Sequence, residues 1–176
     1  MPVTRHLLLR PSLLSDAAEL HRFLGDPEVM ALTHRDADLA ATEARIAAYE
    51  ARRVSDGFAP WTAILRGSGQ IVGWGGLYVD PADPDWGPEV GYYFAAEVWG
   101  RGLAGELVAE ALREADQTHR LAQVTGFAHA DNAASRRVLT RAGFVEVGDV
   151  PEMGRIQYRR TRPASPEVFA SRRSRH

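Results

Sequence analysis

Gly100, Gly102 and Gly105 fall within the nonapeptide Val98-Trp-Gly-Arg-Gly-Leu-Ala-Gly-Glu106, and this stretch constrains the chain more than any other. Each glycine costs about 1 kcal/mol in a helix interior relative to alanine, so the segment must turn before any helix begins. The pattern after it is strongly helical. Leu103, Ala104, Leu107, Val108, Ala111 and Leu112 recur at three- and four-residue steps toward Ala115, while Glu106, Glu110, Arg113 and Glu114 fall on other faces. A glycine turn therefore feeds a helix N-terminus, where unpaired amides, the positive end of the helix dipole and the Arg101 guanidinium converge. Such a point suits a phosphate. The spacing also satisfies G-x-G-x-x-G, which admits a dinucleotide reading, and a turn that binds nothing remains an alternative.

The rest of the composition bounds the answer. A chain of 176 residues with 45% hydrophobic residues suffices for one core, expected over residues 1–162 as a single domain, with an arginine-rich, polar and flexible tail over 163–176. The absence of cysteine excludes disulfides, thiolate metal sites and a cysteine nucleophile. No apolar run is long enough to span a bilayer and the first residues lack a signal-peptide layout, so a cytoplasmic protein is expected. A net charge of -2 argues against a nucleic-acid or membrane binder. The six histidines form no metal-binding pair around a glutamate, and no metal is expected. All 21 basic residues are arginine, which reflects the source's nucleotide composition rather than chemistry.

Read in order, residues 6–10 form a strand ended by Pro11, and Asp16 with Glu19 has capping-box spacing ahead of a helix that stops at Gly25-Asp26-Pro27. A second helix spans 39–53, and the segment 29–36 between them shows no period. Residues 61–65 and 71–79 read as a hairpin around Gly67-Ser68-Gly69, with Gly73, Gly75 and Gly76 implying a bulge or a close backbone neighbour. A loop over 80–88 leads to a strand at 89–94, the glycine turn and the central helix. A strand at 123–128, a helix at 132–142 and strands at 145–150 and 155–160 complete the order β-α-α-β-β-β-α-β-α-β-β. The strands on either side of the central helix form a β-α-β crossover, so they run parallel within an otherwise antiparallel sheet, with a ligand at their carboxyl ends. A nicotinamide-nucleotide fold would place its fingerprint after the first strand, and here an antiparallel half precedes it.

Three further groups of residues sharpen the reading. Asn132-Ala-Ala-Ser-Arg-Arg-Val-Leu-Thr-Arg-Ala-Gly-Phe144, Trp99-Gly-Arg-Gly-Leu-Ala104 and Glu89-Val-Gly-Tyr92 together resemble the GNAT superfamily of acetyl-CoA-dependent N-acetyltransferases, nearest its RimJ/RimL-like branch. Leu9-Arg10-Pro11, Asp16, Asp26-Pro27 and Ile71-Val72-Gly73 extend the similarity across most of the chain. The family has Gln or Arg where this chain has Trp99, a replacement associated with that branch.

The resemblance implies a mixed α/β fold: a mostly antiparallel central sheet whose parallel middle strand pair splays apart, with helices on both faces. Acetyl-CoA would enter the splay as cosubstrate. Its pyrophosphate would be held by the turn from Arg101 through Gly102, Leu103 and Ala104 to Gly105, with Trp99 in the same motif, and its pantetheine arm by Val90, Gly91, Tyr92 and Asn132. A backbone N–H near a bulge at Val90–Tyr92 would polarise the thioester carbonyl. Glu89 is the candidate base, or else a solvated strand-end charge. Ser135 is the candidate donor to the departing sulfur, or else an ordinary first-turn residue, and Asn132 equally a helix cap. The tyrosine that many relatives carry on this helix is absent, its place being taken by Leu139. An α-amine with pKa near 8 costs only about 1 to 1.5 kcal/mol to deprotonate at pH 7, against about 4.6 for a lysine-like amine, so a carboxylate base fits the former. The expected activity is transfer of acetyl to a primary amine, either a small molecule or a protein N-terminus, and a homodimer is left open. A non-catalytic acyl-CoA-binding module of the same fold is the rival reading.

Overall fold

The computed structural model describes residues 1–164, so most of the tail assigned to 163–176 lies outside the described residues. Seven strands form one sheet in the order β1-β2-β3-β4-β5-β7-β6, with β1 (Leu7–Pro11), β2 (Trp61–Leu65), β3 (Ile71–Val79), β4 (Pro88–Phe94), β5 (Gln123–Ala128), β6 (Val145–Val150) and β7 (Arg155–Thr161). Every neighbouring pair is antiparallel except β4–β5. That parallel ladder holds only two residue pairs, Glu89 with Thr125 and Val90 with Gly126, after which the strands part. The element order and the single parallel pair are those expected from the hydrophobic periods.

Helices α1 (Ala17–Leu24) and α2 (Leu39–Asp56) cover one face, and α3 (Leu103–Arg113) and α4 (Ala133–Arg141) the other. Because side chains alternate along a strand, the same β4 residues serve both cores. Val90 and Phe94 join the larger cluster with Leu103, Leu107, Val108 and Leu112, while Tyr93 stacks on Trp74 in the cluster under α1 and α2. α2 begins on Asp38, whose side chain accepts from Ala41 N, and runs to Asp56, where Gly57 with φ +84° caps it within the stop that Ser55-Asp56-Gly57 signals in the sequence. α3 stops at Arg113, and one wider turn carries the chain to Thr118.

Two local expectations are corrected. Asp16 does not cap α1 with its side chain. Its carboxylate is instead buried between strands, accepting two bonds from Arg10 at 2.7 Å, one from Leu13 N and one from Thr62. Burial alone would raise its pKa, but the Arg10 pair and these donors hold it below the ordinary value. Nor is there a bulge at Val90–Tyr92: the β3–β4 ladder runs unbroken from Gly73 opposite Phe94 to Val79 opposite Pro88. The glycines of β3 mark close neighbours, since a Cβ on Gly75 would lie 2.4 Å from the Gly91 carbonyl oxygen.

Candidate active site

The glycine turn follows β4 after one short 3₁₀ turn, Ala96–Val98, and is held shut from its own side. Trp99 is exposed over its ring, yet its indole N–H donates to the Phe94 carbonyl at 2.8 Å, pinning the start of the turn to the end of the strand. Gly100 and Gly102 have φ of +72° and +79°, a left-handed backbone that a side chain would strain. Gly102 forms the N-cap of α3 without a side-chain bond, leaving the first amides of the helix to other partners. A Cβ built on Gly100, Gly102 or Gly105 meets no other group within 4 Å, so the turn is an open cradle facing outward. This arrangement fits an acyl carrier's diphosphate, for which the first amides of α3 and the exposed Arg101 would be the donors. Leu103 is buried in the core and Ala104 half-buried, so both could offer only their main chains.

Behind the cradle, Glu106 in the first turn of α3 accepts from Thr4 Oγ1, from His6 N and from the His6 ring. Burial pushes its pKa up, but these donors outweigh that and hold it low. The carboxylate is thereby engaged with the chain before β1 and does not oppose an anion unshielded. Arg5, His6, Arg66 and Arg101 also line a cavity of about 300 Å3 on this side.

The other end of the gap is built by β4 and α4. Beyond Val90 the main-chain groups of β4 that face β5 have no strand partner. Any main-chain N–H left open on this edge of β4 comes from the divergence of the strands rather than from a bulge. Val90 keeps its side chain in the core, and Gly91 lies under the Tyr78 ring, where a Cβ would come within 2.8 Å of the phenol oxygen. Asn132 caps α4 by accepting from Ser135 N at 3.0 Å, which leaves its amide N–H groups for another acceptor. Ser135 is half-buried, with its hydroxyl 2.9 Å from the Tyr92 hydroxyl. That contact gave no signal in the sequence, since the partners are 43 residues apart. Arg136 turns to Tyr158 and the Ala130 carbonyl, away from the cradle.

Glu89 sits on the opposite face, at the closed end of the splay. It is 4% exposed, pairs across the ladder with Tyr78, and shares this face with Trp74 and Tyr93 and with Tyr49 from α2. Burial raises its carboxyl to about 8, Asp80 and Asp83 push the same way, and Tyr78 and Arg155 work against them. At neutral pH it is largely uncharged, yet close to the value at which a general base is effective. The loop over 80–88 thus acts on the site through Asp80 and Asp83, while Trp86 packs edge-on against Phe127 of β5. His119 is the C-cap of the wider turn that follows α3 and packs edge-on against Phe58. Among the described residues, no group of three His, Asp or Glu side chains is placed to hold a metal ion, and no helix is long and apolar enough to cross a membrane.

The fold is shared with solved acetyltransferases. The acetyltransferase from Agrobacterium tumefaciens superposes with a TM-score of 0.79 at 22% identity, over 92% of this chain and 94% of that one. RimL, a ribosomal alpha-N-protein acetyltransferase in complex with coenzyme A, gives 0.73 at 17% identity over 92% and 97%. AAC(6')-Ib in complex with ribostamycin and coenzyme A gives 0.71 at 20% over 89% and 94%. Residues 6–145 match the family described as the acetyltransferase (GNAT) domain. The glycine cradle, the splayed β4–β5 pair and this match across most of the chain make the protein a member of the GNAT acetyltransferase family.

Proposed function

We propose that the protein transfers acetyl from acetyl-CoA to a primary amine by direct attack on the thioester, with a protein or peptide N-terminal α-amine as the acceptor class. The observation that carries this reading is the disposition of groups about β4. Glu89 lies on one face of the strand and Ser135 approaches from the other, with unpaired main chain between them at the point where β5 diverges. An amine entering from the α1–α2 face would give up its proton beside Glu89, and the sulfur would leave toward α4. The cradle from Arg101 to Gly105 would hold the diphosphate, Asn132 an amide of the pantetheine arm, and a β4 N–H the thioester oxygen. Bound there, acetyl-CoA supplies the activated acyl group. The chain supplies alignment, which by itself is worth up to roughly 7 to 11 kcal/mol.

An N-terminal acceptor is favoured by the base. A carboxyl raised to about 8 matches an α-amine, whose pKa is close to its own, far better than a lysine-like ammonium. RimL acts on a protein α-amine and AAC(6')-Ib holds an aminoglycoside, so the fold accommodates both classes. The test is thiol release from acetyl-CoA by the purified protein with a panel of peptides, amino acids, polyamines and aminoglycosides. Turnover fastest with peptide α-amines supports the proposal, and turnover confined to aminoglycosides or polyamines overturns the acceptor class. Coenzyme binding without turnover on any amine would favour a non-catalytic acyl-CoA sensor.

A further inference from the structure

Tyr92 leaves β4 on the face opposite Glu89 and crosses the gap to the first turn of α4. Its hydroxyl lies 2.9 Å from Ser135 Oγ and donates to the Ser135 carbonyl at 3.2 Å. Each of the two hydroxyls carries one proton, so two arrangements keep the bond between them. In the first, Tyr92 donates to the carbonyl and Ser135 donates to Tyr92, and no O–H is left over. In the second, Tyr92 turns its proton onto Ser135 Oγ, and the Ser135 O–H is released to a third group. The exchange gives up the longer bond and keeps the shorter one with its direction reversed. Meanwhile Asn132 holds Ser135 N, so the turn of α4 stays in place while the proton moves. Burial raises the Tyr92 phenol to about 12 even though Ser135 acts in the other direction, so it remains a donor at neutral pH.

We infer that Tyr92 is a positioning residue: it reverses its hydrogen bond to Ser135 when the thioester occupies the β4–β5 gap, freeing the Ser135 O–H to donate to the departing sulfur. This rests on the proposed acetyl transfer. As the carbon–sulfur bond breaks, its electron pair goes to sulfur, and the thiolate accepts the Ser135 hydrogen bond. The proton that completes the thiol is the one lost by the acceptor nitrogen through Glu89 and solvent, so neither hydroxyl is consumed. Helix α4 cannot supply a phenol of its own from position 139. Leu139 is buried, and a Cβ on Gly126 would lie 2.9 Å from one of its methyl groups. The phenol comes from β4 instead.

The decisive measurement needs no acceptor. Coenzyme A bound to wild type, Tyr92→Phe, Ser135→Ala and the double variant is titrated by its ultraviolet thiolate absorbance. The bound thiol should ionise about tenfold less readily, or one pH unit higher, in either single variant, and no higher still in the double variant. Turnover number should follow the same non-additive pattern, with KM for acetyl-CoA changed less than twofold. A Tyr92→Phe protein titrating like wild type, or two effects that add in the double variant, overturns the inference. Coupled titrations without acetyl transfer to any amine would instead sink the proposed function alone.

Discussion

Glu89 combines a strand-end position with near-complete burial, so it is not a solvated strand-end charge. Buried Asp16 shows the contrast: with Arg10 alongside, its carboxyl is held low, whereas Glu89 has Asp80 and Asp83 for neighbours and is raised to about 8. If Glu89 takes the amine proton, kcat/KM for an acceptor amine of pKa well below 7 should rise with pH to half its maximum near pH 8. Glu89→Gln should remove that limb and lower the rate by about 10²-fold or more. A retained limb would assign the titration elsewhere. Stability should follow the same residue with the opposite sense. The folded pKa lies above the unfolded value near 4.3, so the native state holds a proton that the unfolded chain has lost. The contribution is therefore full below that unfolded value, falls as pH rises, and levels off above about 8. Glu89→Gln, which mimics the neutral form, should melt with wild type near pH 4 and above it at pH 9, by on the order of a few kcal/mol. A variant that melts lower at pH 9 would show the ionised carboxylate to be stabilising.

At the level of elements, the turn before α3 shapes the fold and, in the proposed reaction, would hold the ligand, and its glycines allow the two to be separated. Gly105 lies in the first turn of α3 without positive φ, so alanine there should stabilise the free protein by up to about 1 kcal/mol. The added methyl would project into the open cradle, so affinity for acetyl-CoA should fall about tenfold or more. Gly102→Ala should instead lower stability by roughly 1 to 2 kcal/mol, because φ is +79°. Melting temperature and calorimetric affinity read both, and a Gly105→Ala protein that binds acetyl-CoA as tightly as wild type would show that the cradle is not the diphosphate site. The turn, the crossover and the parallel pair were legible in the sequence because glycine spacing and apolar period are local signals. Asp16 was misread for the same reason: the D-x-x-E spacing of Asp16 and Glu19 is local, whereas the competition from Arg10 and Thr62 arises only once β1 and β2 lie side by side. The Tyr92–Ser135 contact and the acidic neighbours of Glu89 were hidden because they join separate elements, and no periodicity encodes a cross-element distance.

For the molecule as a whole, the sheet is two antiparallel blocks, β1-β2-β3-β4 and β5-β7-β6, joined edge to edge by two residue pairs. The larger core cluster runs under both blocks, from Leu77, Val90 and Phe94 to Val124, Leu139 and Ile156, and side chains also tie them across the join: Tyr92 to Ser135, Trp86 to Phe127, and Arg155 to Thr33. On the far side, Arg160 of β7 holds Asp116, beyond α3, through two bonds of 2.8 and 2.9 Å. A ligand lodged in the gap would complete hydrogen bonds that the diverging strands leave open, so its binding energy should appear as stability of both blocks. At acetyl-CoA one hundred times above its dissociation constant the gain is about 2.7 kcal/mol, or roughly 5 to 11 °C in melting temperature for a domain of this size. NAD or NADP at the same concentration should produce no shift. Hydrogen exchange should place the added protection on the last residues of β4 and β5 and on the first amides of α3, where main-chain donors lack partners. Protection confined to β6 and β7, or a melting temperature indifferent to acetyl-CoA, would mean that the opening between the blocks is not where the coenzyme binds.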